Sequence, residues 1–332
     1  MQPALARAID RFFIALMKPG VRPRGRPAAG MVEEGRRLVR ELEEAAVRFG
    51  PRGFLSRREL ERPRPERFAG LLLRWRREPF ALPVPPARGR PLAAHVYCGR
   101  SRPRAGLVLV HGWRQRALGA VGRFGRYCAA RGLAAVCLEL PEHLSRRPRG
   151  VVAGEGLLSL EAGRMLGWLF QAVFEVEWLR RGLEEALEAP AGTLGVSIGG
   201  WVAALHATVF EPGFCCLVNP LVDPVGVLRE GTLLEPLRRA LAEEELEVLA
   251  GFLELVSPLG REPLLPGRLV SVVTGRQDLV TPYEGVSAYA AAVGARPMRV
   301  TAHGHFSTLF FYPGLFRDVH AEVEALVEEA EG

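Results

Sequence analysis

The last two thirds of this sequence predict an α/β protein, with a mostly parallel sheet covered by helices on both faces. Three observations carry that expectation. From Ala105 onward, short apolar runs alternate with helical stretches. The runs are almost unbroken in hydrophobic residues, as in Gly106-Leu107-Val108-Leu109-Val110 and Ala134 to Leu140, which is how strands buried on both faces read. Glycine and proline close the helices between them, at Gly132 and Pro190. At 332 residues the chain is long enough for one large domain with an appendage.

In chain order, residues 1–18 predict a helix, with Ala4, Ile9, Phe12, Phe13 and Leu16 near one side and Pro19-Gly20 as the stop. Residues 21–30 are a basic linker. Met31 to Phe49 is helical again, and Gly50-Pro51-Arg52-Gly53 breaks it. Leu55 to Arg77 predicts one or two short helices around Pro63 and Pro65, with Leu71-Leu72-Leu73 as a contact surface toward the rest. A proline-rich segment leads into a strand at Leu92 to Cys98.

The alternation then proceeds. Strands are expected at 106–110, 134–140, 193–196, 214–219, 269–274 and 298–301. The helices between and after them are 120–131, 161–188, 200–209, 281–293 and 316–328. Residues of about 225–257 interrupt the pattern with charged helical sequence between two strand ends. Ligands of open parallel sheets bind outside the carboxyl ends of the strands, so this insertion is placed to roof a site. The organisation read from this is a basic helical N-terminal extension over 1–90 and an α/β domain over 91–332 that carries the helical cap.

Charge is uneven. Residues 1–105 hold 24 Lys and Arg against 10 Asp and Glu, and Lys18 is the single lysine of the chain. No nucleic-acid module accompanies this basic stretch and aromatic residues are sparse in it, so nucleic acid is not the expected partner. Docking on an anionic surface is kept as an alternative. No apolar run reaches the ~18–20 residues of a membrane span, and no clean signal-peptide core opens the chain; a cytoplasmic protein is the expectation. Cys98, Cys128, Cys137, Cys215 and Cys216 are odd in number and lie in apolar runs without a CxxC, which reads as free thiols.

Chemistry centres on Thr193-Leu194-Gly195-Val196-Ser197-Ile198-Gly199-Gly200, a strand that ends in Gly-x-Ser-x-Gly before a helix. Glycines there let a strained turn approach its neighbours and leave the Ser197 oxygen exposed at a helix start. Serine is a weak nucleophile without a base, and the base needs an orienting group. Asp278 follows a strand in Gly275-Arg276-Gln277-Asp278, and Thr301-Ala302-His303-Gly304-His305 follows the last strand. Asp223, also after a strand, is a rival acid.

The order Ser, Asp, His and its strand placement resemble the serine α/β-hydrolases, from about residue 90 to the C-terminus. The resemblance implies Ser197 as nucleophile, Asp278 as orienting acid and His305, directly after Gly304, as general base. His303 is the alternative base or a nearby loop residue. The resemblance also makes His111-Gly112-Trp113 the oxyanion loop, with the backbone N–H groups of Trp113 and Ile198 as donors and His111 as a structural tie; His111, Gly112, His143 and His303 are the candidates to line the site. Leu140-Pro141-Glu142-His143 is similar to a segment near the site mouth of some prokaryotic members, where His143, Arg146 or Arg147 would meet a polar or anionic part of the substrate. His95, His206 and His320 read as packing residues.

The function this implies is cleavage of an ester-type acyl bond in a small-molecule substrate through an acyl-enzyme, without metal or organic cofactor. A pair of histidines alone makes no metal site. Thioester or peptide substrates, and an idle hydrolase fold that only binds, are the alternatives. Oligomeric state is not legible.

Overall fold

A computed structural model of the chain describes residues 1–50, 71–75, 79–99, 102–115 and 117–332. The helices expected around Pro63 and Pro65 lie outside the described residues. Eight strands form one sheet in the order β1-β2-β4-β3-β5-β6-β7-β8. They are β1 Leu71–Arg74, β2 Ala93–Tyr97, β3 Ala105–Val110, β4 Leu133–Leu138, β5 Ala191–Val196, β6 Cys215–Val218, β7 Val270–Gly275 and β8 Arg299–Thr301. The pairs β1/β2 and β2/β4 are antiparallel and all the others parallel. Leu71–Arg74, read from sequence as a contact surface, is thus an edge strand of the sheet.

The helices are α1 Pro3–Met17, α2 Met31–Val47, α3 Gly119–Ala129, α4 Ala162–Leu187, α5 Ile198–Val209, α6 Pro224–Glu230, α7 Glu235–Ala240, α8 Glu243–Glu254, α9 Tyr283–Ala292, α10 His305–Phe311 and α11 Leu315–Glu331. Side-chain alternation along the central strands feeds two cores. Val108, Val110, Val136 and Leu138 face α4 and α5, while Leu107, Leu109, Ala135 and Cys137 face α3 and α11. Both faces are dry, which is why these strands read as unbroken apolar runs. None of the five cysteines is in a disulfide, and burial pushes the Cys215 thiol up to about 12.

The N-terminal helices belong to the first of these cores. Ile14 of α1 and Met31 and Leu42 of α2 are buried in it beside Trp168 and Phe252. Ring contact at Gly35 is so close that a Cβ there would lie 2.6 Å from Phe252. Helices α6 to α8 form the interruption between β6 and β7. Arg26–Glu245 at 2.6 Å, Arg261–Glu43 at 2.8 Å and the Lys18–Glu235 pair tie this roof to the N-terminal segment. No helix among the described residues is long and apolar enough to cross a membrane.

Because β3 and β5 to β8 run parallel, the loops that follow them emerge on one edge of the sheet. Strand order reverses between β3 and β5, the position at which parallel sheets open a crevice. Ser197, Asn219, Asp278 and His305 all lie on that edge.

Candidate active site

Ser197 sits at the apex between β5 and α5 with φ 57° and ψ −118°, a conformation rare for a residue with a side chain. Its surroundings hold the turn in place. The Ser197 N–H donates to the Val218 carbonyl at 3.0 Å, and the Ser197 carbonyl accepts from Leu221 N at 3.0 Å and Gly200 N at 2.8 Å. The flanking glycines are required by contact: a Cβ at Gly195 would lie 2.2 Å from the Gly199 oxygen, and one at Gly199 would lie 2.2 Å from the Val110 oxygen. The sequence folds this way because only glycine permits that approach.

His305 opens α10 and bridges two partners. Its Nε2 lies 3.0 Å from Ser197 Oγ, and its Nδ1 lies 2.7 Å from Asp278 Oδ2. Asp278 is fixed in turn: its Oδ1 accepts from Val280 N and Thr281 N, both at 2.8 Å, and the Thr281 hydroxyl lies 2.9 Å from Oδ2. Burial works against a charged His305 imidazole, but Asp278, by charge and hydrogen bond, outweighs it and raises the His305 pKa. The three groups form one hydrogen-bonded relay across 108 positions of sequence.

The loop after β3 is built around two neutral imidazoles. His111 Nε2 accepts from Leu140 N at 3.1 Å, so its Nδ1 carries the proton that bonds the Gly112 carbonyl at 2.7 Å. His143 repeats the pattern, accepting from Arg114 N at 3.1 Å and bonding Pro141 O at 2.8 Å. Burial holds the first to about 4, and burial with its neighbour His111 holds the second to about 3. Gly112 abuts the Ser197 turn; a Cβ on it would lie 3.4 Å from the Ser197 Cβ. The Trp113 indole is anchored to Gly154 O at 3.2 Å. Ile198 begins α5, so its N–H has no carbonyl four residues back within the helix.

Several expectations need correcting. Gly112 lines the cavity beside Ser197, but His111, His143 and His303 do not. His111 and His143 are fully buried behind the loops, where each accepts a backbone N–H. The His303 ring packs on Tyr312 at 5.0 Å. Arg146, read as a substrate contact, is 1% exposed and forks onto Glu175 of α4 at 2.6 and 2.7 Å. Asp223 caps α6 through Gly226 N at 2.8 Å and bonds no member of the relay.

Two further residues hold the site and were not singled out from sequence. Asn219 directly follows β6 with φ 42°; its amide donates to the His305 carbonyl at 3.1 Å and accepts from Gly275 N at 3.0 Å. Its carbonyl lies 3.2 Å from the Thr281 hydroxyl. Asp10, buried in α1, accepts from His305 N at 2.7 Å, Phe306 N at 2.9 Å and Leu279 N at 3.2 Å. Signals existed for both: Asn219 is the one asparagine in the chain, and Asp10 is the one acidic residue before Glu33.

Ser197 opens into a cavity of about 120 Å³. Its walls come from Leu157 and Met165 below, Ile198 and Trp201 of α5, Leu237 and Leu253 of the roof, and Phe306 of α10. Among the described residues only Ser197, His305 and Gln115 bring polar side chains to the wall. No group of three or more metal-binding side chains occurs among the described residues.

No protein family's sequence model matches the chain, and no curated protein matches it. Solved structures do. The acylaminoacyl peptidase of Pyrococcus horikoshii aligns with TM-score 0.52 at 11% identity, over 78% of this chain and 41% of that one. TT1662 from Thermus thermophilus aligns with TM-score 0.51 at 20% identity, over 75% and 99%. The native form of a thermophilic esterase, Est2, from the Planctomycetes species Thermogutta terrifontis aligns with TM-score 0.52 at 18% identity, over 82% and 96%. This chain therefore spans about two fifths of the peptidase's length and nearly all of the other two. At such identities the likeness is one of fold.

Proposed function

We propose that this chain, which has the α/β-hydrolase fold, is a serine hydrolase that cleaves esters of apolar acyl groups through an acyl-enzyme on Ser197. The observation that carries the reading is the Ser197–His305–Asp278 relay, at 3.0 and 2.7 Å, at the wall of an almost wholly apolar cavity. In the proposed reaction Ser197 Oγ attacks the acyl carbonyl while His305 Nε2 takes its proton. Asp278 holds the Nδ1–H tautomer and stabilises the imidazolium that forms. The oxyanion is received by the N–H groups of Trp113 and Ile198, since the Gly112 turn and the start of α5 both border Ser197.

Collapse of the tetrahedral intermediate expels the alcohol, which takes the proton from His305. Water then repeats the sequence and releases the acid. No step calls for a metal or organic cofactor. The neighbours of similar fold include a peptidase and an esterase, so amide cleavage shares the machinery. An apolar wall without a cluster of peptide-binding polar groups favours the ester reading.

The test is a panel of p-nitrophenyl acyl esters and a fluorophosphonate probe, applied to the wild-type protein and Ser197→Ala. Wild type is expected to hydrolyse esters and to carry the label on Ser197, and the variant to do neither. Absence of both activities from wild type would leave a fold that only binds.

A further inference from the structure

We propose that Asp10 is a positioning residue for the site, so that helix α1 of the N-terminal segment completes the machinery built on Ser197. The inference rests on the hydrolase reading above. Helix α1 buries a carboxylate on its inner face: Asp10 is 0% exposed between buried Ala6 and Ile14, whereas Leu5, Phe12 and Leu16 on the same helix are 54%, 61% and 63% exposed. Burying a carboxylate without a countercharge is costly unless donors surround it. Here three backbone N–H groups do so, and they belong to the two segments that carry His305 and Asp278.

His305 and Phe306 are the first residues of α10, and Gly304 before them has no side chain with which to cap the helix. Asp10 supplies that cap from another element. Its third bond, to Leu279 N, holds the peptide directly after Asp278. One carboxylate thus spans both sides of the His305–Asp278 contact and fixes its length. Gly304 now has a physical reason: a Cβ there would lie 2.4 Å from an Asp10 oxygen. Stacking of Phe13 on Phe306 at 5.0 Å and the contact of Arg7 with Gln277 seat α1 against the same two segments.

The charge matters as well as the hydrogen bonds. The ionisable groups acting on Asp10 are Asp278 and His305, and those acting on His305 are Asp278 and Asp10. On α1 itself Arg7 is engaged with Gln277 and Arg11 is exposed; α10 carries no charged group besides His305. From neighbouring segments, Arg114 bonds the Met17 carbonyl, and Lys18 pairs with Glu235. Burial and then Asp278 raise the Asp10 carboxyl pKa, while its backbone donors oppose them. Asp10 in turn favours the imidazolium of His305, the form present when Ser197 has given up its proton.

The experiment compares wild type, Asp10→Asn and Gly304→Ala in the full chain. Asp10→Asn keeps the shape and one acceptor and removes the charge; Gly304→Ala keeps the charge and displaces the carboxylate. Measured are kcat and KM on p-nitrophenyl butyrate, the pH profile of kcat/KM, the denaturation midpoint, and the His305 imidazole titration by NMR. Asp10→Asn is expected to lose about 10–100-fold in kcat with KM nearly unchanged, and to move both the acid limb and the His305 titration to lower pH. Gly304→Ala is expected to share the loss of kcat. A cap that served stability alone would lower the denaturation midpoint and leave the titration in place. Wild-type kcat and an unmoved His305 titration in Asp10→Asn overturn the proposal. The titration is read without turnover, so it judges Asp10 even if the chain cleaves no ester.

Discussion

Arg146 separates two readings of the loop after β4. As a recognition group it would greet an anionic substrate. As the structure has it, the guanidinium forks onto Glu175 and also donates to the Glu139 and Arg90 carbonyls at 2.6 and 3.1 Å. Arg146→Met deletes all of these. Glu175 is 0% exposed and keeps the Gln171 amide at 3.0 Å, so the carboxylate is left in the core without a countercharge. Breaking a buried pair in this way costs about 3–5 kcal/mol. For 332 residues the unfolding entropy is about 0.7 kcal/mol/K, so Tm should fall by about 4–7 °C.

The double variant Arg146→Met/Glu175→Leu removes both charges and should recover most of that loss, since an apolar pair in the same space is often as stable. Scanning calorimetry measures the three transitions. In parallel, kcat/KM is compared for a neutral ester and one with a terminal carboxylate, and their ratio should not change. Arg146→Met that melts with wild type, or that selectively loses the anionic ester, would refute the reasoning.

Two further outcomes are expected. On the proposed reading neutral His305 serves as the base, and its pKa is raised, so kcat/KM should fall as pH drops through a value above the ordinary 6.5 of an imidazole; a pH series that stays flat down to that value contradicts it. Leu237→Trp intrudes on the cavity from the roof, and each methylene it excludes should cost about 0.8 kcal/mol, or about fourfold in kcat/KM; the variant should keep acetate ester activity and lose octanoate, as read from a chain-length series.

What could be read from the sequence was local. The turn at Gly195–Gly200 is dictated by close backbone contact, and strands buried on both faces announce themselves as apolar runs. Asp278 and His305 could be named because each follows a strand within a few residues. What escaped depends on partners far along the chain. Arg146 was misread because its mate Glu175 lies on a helix 29 residues away; Gln171 and Glu175, four apart in an otherwise apolar stretch, were the available hint. His143 was placed toward substrate because a buried neutral imidazole and a site-facing one look alike in sequence. Asp10 meets His305 across 295 positions, and no periodicity encodes that. Leu71–Arg74 is too short to be told from a helix turn until β2 pairs with it.

Asn219 has a consequence for how the protein can drift. Its amide donates a hydrogen bond to the first residue of α10 and accepts one from the last residue of β7, and its backbone adopts a left-handed twist that few side chains accept. Aspartate lacks the donor, leucine lacks both groups, and glutamine is a methylene too long. Homologues that diverge almost everywhere in the core can therefore be expected to keep this letter, and a search keyed to it alongside the serine, the acid and the histidine should reach relatives that overall identity no longer finds.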